Sequence, residues 1–252
     1  MVALSPVSSV IDDPIYHKRH FFFRLDPQHR PSEKPIFNDQ SPSPLDIRQN
    51  PTWHDCYLLA PLQQVAMHHP QHILDAINKC GTIVDMQYYP VHYHDGTAIP
   101  AGQALTLSMR TDILQCQSRH AYQWPALFEK AFAATQGRGS YNVLLHNDDP
   151  SIGLAWILGT SAYTISITRK NKEEKVQHLI ELWKDKVCVI MLSKRHAYSV
   201  QDMTFENNRW HATLLSPTAS STSGKHHVLQ VGTSDLARRI VAYTYAQIDN
   251  KP

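Results

Sequence analysis

A cysteine that acts as a nucleophile needs a place that favours its thiolate, an imidazole to move the proton, and donors for the oxyanion formed on attack. The stretch NPTWHDCYLLAPL, residues 50–62, offers the first of these. Cys56 follows Asp55 and begins a run in which Leu58, Leu59, Leu62, Val65 and Ala66 recur at three- and four-residue steps. That period puts the thiol at the N-terminal tip of a helix, where the backbone dipole favours negative charge. Read alone, the fragment suits a buried core cysteine better than a nucleophile, since free cysteine is among the most buried residue types. The imidazole would have to come from elsewhere in a chain that carries sixteen histidines.

The elements that must position such side chains follow from pattern. Pro31, Pro35, Pro42, Pro44 and Pro51 make residues 28–51 an extended entry segment, because proline lacks an N–H and steers its predecessor away from helix. The helix begun at Asp55 runs to Met67, carries Pro61 where a kink is expected, and ends before Pro70. HPQHILDAINKCG predicts a shorter helix that stops at Gly81. Residues 82–109 read as strands with a turn at Asp95-Gly96. WPALFEKAFAATQG (124–137) and KNKEEKVQHLIELWKDK (170–186) are helices, and VCVIML, AYSVQDM and WHATLL are strands. Asn207 and Asn208 fall in the turn between the last two. PTASSTSGKHH (217–227) reads as a surface loop, and VLQV with a terminal helix or strand closes the chain. Helices dominate the first half and strands the second, which predicts an α+β chain of two lobes without internal repeats. The expected units are an N-terminal extension (1–44), a helical lobe carrying the cysteine (45–160) and a β-rich lobe carrying the histidine (161–252).

Composition narrows the partners. At 252 residues with net charge +2 and no long basic run, the chain carries no nucleic-acid track or anionic-membrane surface. No apolar run reaches membrane-spanning length. The four cysteines, Cys56, Cys80, Cys116 and Cys188, form no CxxC pair, which fits a reducing compartment better than a disulfide frame. MVALSPVSSVIDDP meets Pro and Asp too early for a secretory signal. The expectation is a protein cytoplasmic where it is made, with export lacking a cleavable signal left open. Sixteen histidines include His92, His94, His68, His69, His72, His226 and His227. They lie on separate elements without zinc-ligand spacing, so they read as surface residues and no metal or cofactor is expected.

Five fragments in one order resemble calpain-like cysteine proteases of the papain superfamily. DIRQ…DCYLLA (46–60) resembles the family's nucleophile entry, and WPALFEKAFAATQGRGSY (124–141) its W-P-x-L-x-E-K-A block. IGLAWILGTSA (152–162) sits where that family closes its first lobe. KRHAYSVQDM (194–203) is similar to its G-H-A-Y-S-V strand, and NRWHATLLSP (208–217) to the strand that ends in L-x-N-P-W-G. The resemblance implies a papain-like two-lobe fold with Cys56 as nucleophile, His196 as general base and Gln49 as oxyanion donor beside the Cys56 N–H. Ser216 stands where the family has the asparagine that orients the imidazole. A serine hydroxyl can bond the ring nitrogen itself, but it reaches less far than an amide, so a bridging water is the other arrangement left open.

Departures from the family pattern are specific. Gln49 precedes Cys56 by seven residues (56 − 49) where the family has six, and the glycines of the entry loop are replaced. Thr218 stands in place of the tryptophan that shields the catalytic pair, a place Trp53 or Trp210 would have to fill. EF-hand spacing is absent. The resemblance implies a cysteine endopeptidase of minimal form, acting on extended protein segments, and the missing EF-hand pattern with the lost tryptophan at Thr218 predicts that it needs no calcium. Bacterial chains of this form include secreted effectors, and the expectation extends that far. Two alternatives stay open: an acyl transferase or deamidase acting on glutamine side chains, and a degenerate protease serving as a binding module. The oligomeric state is left open.

Overall fold

The computed structural model describes residues 34–37, 41–50, 53–110, 120–146, 148–207, 209–219 and 226–246. Cys116 and Asn208 lie outside them. The first long element is α1 (Cys56–His68), followed directly by α2 (Pro70–Ala76). Every residue of α1 from Cys56 to Ala66 is buried. A helix apolar all round needs partners on every side, and α1 has them in α4, β7 and β8.

Strands β1 (Ile77–Cys80), β2 (Ile83–Tyr88), β3 (Val91–His94), β4 (Thr97–Pro100) and β5 (Leu105–Arg110) come next. The helix expected to run on to Gly81 ends at Ala76, and Ile77–Cys80 instead pair antiparallel with Ile83–Met86. Asn78 and the β-branched Ile77 are poor helix formers, and the ladder with β2 decides the matter. The Asp95-Gly96 turn forms as expected, with both residues at positive φ (51° and 76°), the geometry of a two-residue hairpin.

The chain continues through α3 (Trp124–Thr135), α4 (Pro150–Leu158), β6 (Ala162–Ser166), α5 (Lys172–Lys184), β7 (Cys188–Leu192), β8 (Ala197–Glu206), β9 (Arg209–Ala219), β10 (His226–Gly232) and β11 (Ala242–Ala246). β9 runs further into the expected 217–227 loop than its apolar pattern shows, and β10 begins at His226. The protein is mixed α+β with two sheets. β1, β2 and β5 form a small one, and the other eight strands follow the order β10-β9-β8-β7-β11-β6-β4-β3. β3 and β4, from before residue 160, thus join the same sheet as the strands after it.

This large sheet is buried on both faces at its centre. Along β7, Cys188 and Ile190 join the core around α1, whereas Val189 and Met191 join the core around α5. β8 divides likewise, with Ala197 on the α1 side and Val200 on the α5 side. The two-residue period of a strand serves two cores at once, which accounts for the unbroken apolar run VCVIML.

α1 is fixed to the sheet by two consecutive buried glutamines. Gln64 Nε2 donates to the Val200 carbonyl at 2.6 Å, and its Oε1 accepts from the Val189 N–H at 3.0 Å. Gln63 Oε1 accepts from Ser199 Oγ at 3.0 Å. These bonds set the register of the helix against β8, and so of Cys56 against His196. Pro61 does not break α1. Its ring packs on α4 at Gly153, where an added Cβ would stand 2.8 Å from the Tyr57 carbonyl oxygen and 3.1 Å from Pro61 Cγ. Glycine there admits a close approach of the two helices.

Candidate active site

Cys56 opens α1 and is 4% exposed. An aspartate in the position before a helix ordinarily accepts from the first free N–H groups, but the Asp55 side chain caps nothing. The tip N–H groups are left to the thiol. Burial raises the Cys56 thiol to about 11, a rise to which Asp55 adds only when ionised, while the backbone N–H groups of Ala197, Tyr57 and Cys56 itself pull it down. Contact with the Ala197 N–H places the sulfur against the start of β8, next to His196.

His196 sits at the end of the 193–196 turn, where its N–H donates to Ser193 Oγ at 3.1 Å. Its Nε2 meets Ser216 Oγ at 2.8 Å. In the tautomer that leaves Nδ1 able to take a proton, Nε2–H donates to Ser216, which also accepts from the Thr218 N–H at 3.1 Å. Of the two arrangements left open by side-chain length, serine reaches the ring directly and no bridging water is needed. The strand backbone, not the side chain, closes the gap. Burial lowers the imidazole to about 4, with His227 adding repulsion.

These two shifts decide the resting state. Forming thiolate and imidazolium from the neutral pair costs about seven pK units, roughly 10 kcal/mol. An ion pair at about 4 Å would recover only about 4 kcal/mol at an effective dielectric of 20. Burial thus favours a neutral thiol and a neutral imidazole.

Gln49 is buried and tied on every side. Its N–H donates to the Pro217 carbonyl at 2.9 Å, and Gln49 and Thr218 form a parallel bridge. Its Oε1 accepts from Thr218 Oγ1 at 2.8 Å, and its Nε2 donates to the Trp53 carbonyl at 3.0 Å. The structure thus joins Gln49 to the Ser216–Thr218 strap, but its amide is engaged internally. Thr218, at the position where the resemblance would have a tryptophan, holds Gln49 in place. Neither Trp53 nor Trp210 covers the imidazole in its stead. Trp53 packs on Tyr141, with ring centroids 5.8 Å apart, and Trp210 on Phe205 at 5.1 Å. The ring that meets His196 is Tyr198, edge-on at 4.6 Å.

Residues not singled out from sequence matter as much. Gln63, Gln64, Tyr198, Glu129 and His120 all shape the site or its support. Two adjacent glutamines inside an apolar helix are a legible signal of buried hydrogen bonds. His120 carries none, because its partners come from three distant segments.

Among the described residues no group of three or more His, Cys, Asp or Glu side chains converges as a metal site, and no helix is long and apolar enough to cross a membrane. Comparison with models of protein families finds no match, and comparison with curated proteins finds none either.

Proposed function

We propose that the protein is a cysteine hydrolase of papain-like two-lobe design, cutting peptide bonds in extended protein segments. The observation that carries this reading is the bond from His196 Nε2 to Ser216 Oγ at 2.8 Å, on a strand whose next N–H meets the Cys56 sulfur. A ring held by its far nitrogen presents the near one, which is the orienting logic of a catalytic triad. Because the resting pair is neutral, proton transfer accompanies attack. Nδ1 of His196 takes the thiol proton as sulfur bonds to the carbonyl carbon, and returns it to the leaving amine. Water, activated by the same imidazole, then hydrolyses the acyl-enzyme. The Cys56 N–H at the helix tip is the donor aligned with the developing oxyanion. Gln49 reaches that role only by releasing Trp53.

The test pairs hydrolysis of an unfolded protein substrate with labelling by a peptidyl electrophile. Wild type should cleave and label at Cys56, whereas Cys56→Ala should do neither and still melt within a few degrees of wild type. Labelling without cleavage would favour acyl transfer or deamidation, read out by adding a primary amine. Absence of both would favour a binding module, a reading supported by the neutral resting pair and the engaged Gln49 amide.

A further inference from the structure

Behind Cys56 lies a buried group of ionisable side chains that the steps above leave unused. Asp55 and Glu129 are 0% exposed and His120 is 2% exposed. The Arg48 N–H donates to His120 Nδ1 at 2.8 Å, so in the neutral ring the proton is on Nε2, which donates to Glu129 Oε2 at 3.0 Å. Glu129 is thereby the better site for negative charge. Asp55 faces Glu129, with Gln49 and His120 as its other polar neighbours. Neither Asp55 oxygen has a partner at normal hydrogen-bond geometry: the Gln49 amide, the smallest of the influences on Asp55, is turned to the Trp53 carbonyl. Two carboxyl groups that face each other in a dry site bond only if one of them carries a proton, and an isolated buried carboxylate is neutralised instead.

We infer that Asp55 and Glu129 hold one proton between them, seated on Asp55, and that this proton governs Cys56 by keeping its neighbour in the chain uncharged. The inference rests on Cys56 being the reactive thiol of the site. Asp55 and Glu129 are positioning residues, since they act through the helix tip and touch no substrate. Other charges around the group agree with this assignment. The Lys34 ammonium donates to the His120 carbonyl, Arg48 adjoins the ring, and both oppose a positive His120. An ionised Asp55 and, less strongly, Asp46 favour one, yet burial outweighs both, and the Asp46 carboxylate accepts from the Ser43 N–H and Trp124 Nε1. With His120 neutral, Glu129 supplies the one negative charge, and Asp55 is held well above the usual carboxylate range, by burial first and by Glu129 next.

The experiment reads the pH profile of iodoacetamide alkylation at Cys56, followed on its own peptide by mass spectrometry. Glu129→Gln offers Asp55 an amide donor and should leave it ionised beside the thiol. The alkylation midpoint should move up and the rate at neutral pH should fall about ten-fold or more, as expected for a like charge close by at an effective dielectric near 20. Asp55→Asn, which imitates the protonated acid, should leave the profile in place, and the double variant should match Asp55→Asn. A ten-fold faster reaction in Asp55→Asn would show that Asp55 is an anion and would overturn the inference. An unshifted midpoint in folded Glu129→Gln would do the same. Should Glu129→Gln fail to fold, infrared difference spectra of wild type against Asp55→Asn decide. Loss of a protonated-carboxyl band in the variant supports the shared proton, and absence of that band from wild type overturns it. Alkylation needs no peptidase turnover, so a chain that alkylates as described but cleaves nothing would sink the peptidase reading and leave this one standing.

Discussion

On the helix side of the site, Asp55, Glu129 and His120 are almost completely buried, and the hydrogen bonds of His120 tie together the 48, 120 and 129 segments. On the strand side, His196 keeps part of its ring exposed and is held by one hydroxyl, Ser216 Oγ, with Tyr198 against its edge. The first wall cannot move without stranding buried polar groups, each worth about 1–3 kcal/mol or more if left unpaired. The second can adjust by turning a hydroxyl. Their difference teaches a division of labour: the helix wall fixes where the sulfur is and how it ionises, and the strand wall does the proton transfer with modest restraint.

The largest expected effect lies on the strand wall. His196→Ala should lower kcat/KM by about 10²–10⁴-fold, the usual worth of a positioned acid–base group, with little change in Tm. Ser216→Ala should cost roughly ten-fold, because it steers the ring and carries no proton. Ser216→Asn should fail to raise turnover, since Oγ already meets Nε2 at 2.8 Å and a longer side chain would overpack a residue 3% exposed. A gain of ten-fold or more in Ser216→Asn would break the comparison by showing that the strand wall lacks reach.

On the helix wall the signature should be stability. Gly153→Ala pushes a Cβ to 2.8 Å from the Tyr57 carbonyl, a backbone atom that cannot swing aside. A loss of about 1–3 kcal/mol is expected, or several degrees of Tm by thermal melting. An unchanged Tm would mean that α1 and α4 separate easily.

Acid should also attack the helix wall. His120 is held at about 3 against about 6.5 in the unfolded chain, so between those values the unfolded state binds the extra proton. Its contribution is full above pH 6.5 and is lost as pH falls toward 3, with a slope of up to about 1.4 kcal/mol per pH unit. His196, lowered to about 4, adds a second proton over most of the same window. Asp55 acts with the opposite sign: a raised folded pKa stabilises at low pH and is lost as pH rises. Denaturant unfolding across pH 4–7 should therefore be less steep in His120→Gln, whose amide can accept from Arg48 and donate to Glu129 without titrating. Equal slopes would remove His120 from the account. The smallest effect belongs to Thr218→Val, which deletes the bond to Gln49 Oε1. A cost of about 1 kcal/mol is expected, and its effect on kcat tells whether Gln49 must be held or must be released during turnover.

Much of the frame was legible from periodicity. Leu58, Leu59, Leu62 and Val65 recur at helical spacing and lie in α1, and Asp95-Gly96 makes the hairpin its residue types require. The limits of β1 were not legible, since INKC is as short and ambiguous as a helix end and only the ladder with β2 chooses. The pairing of Cys56 with His196 rests on the resemblance of several fragments in one order, since the residues around Cys56 alone suit a core thiol better.

By itself the sequence determined most of the helical and extended segments, Ile77–Cys80 excepted, because hydrophobic period and turn chemistry act over a few residues. It also placed a thiol at a helix tip and a histidine at a strand start. Only the tertiary structure decided their charge states and partners. Burial sets whether a thiol near 11 and an imidazole near 4 ionise, and burial belongs to the assembled sheet and α1, not to neighbours in sequence. The same holds for Ser216, which reaches His196 because β8 and β9 pair side by side, and for Asp55, whose usual role as a helix cap is overridden by a glutamate from α3. Each depends on atoms brought together from distant positions, where local propensity carries no information and the cost of leaving a buried polar group unpaired selects the arrangement.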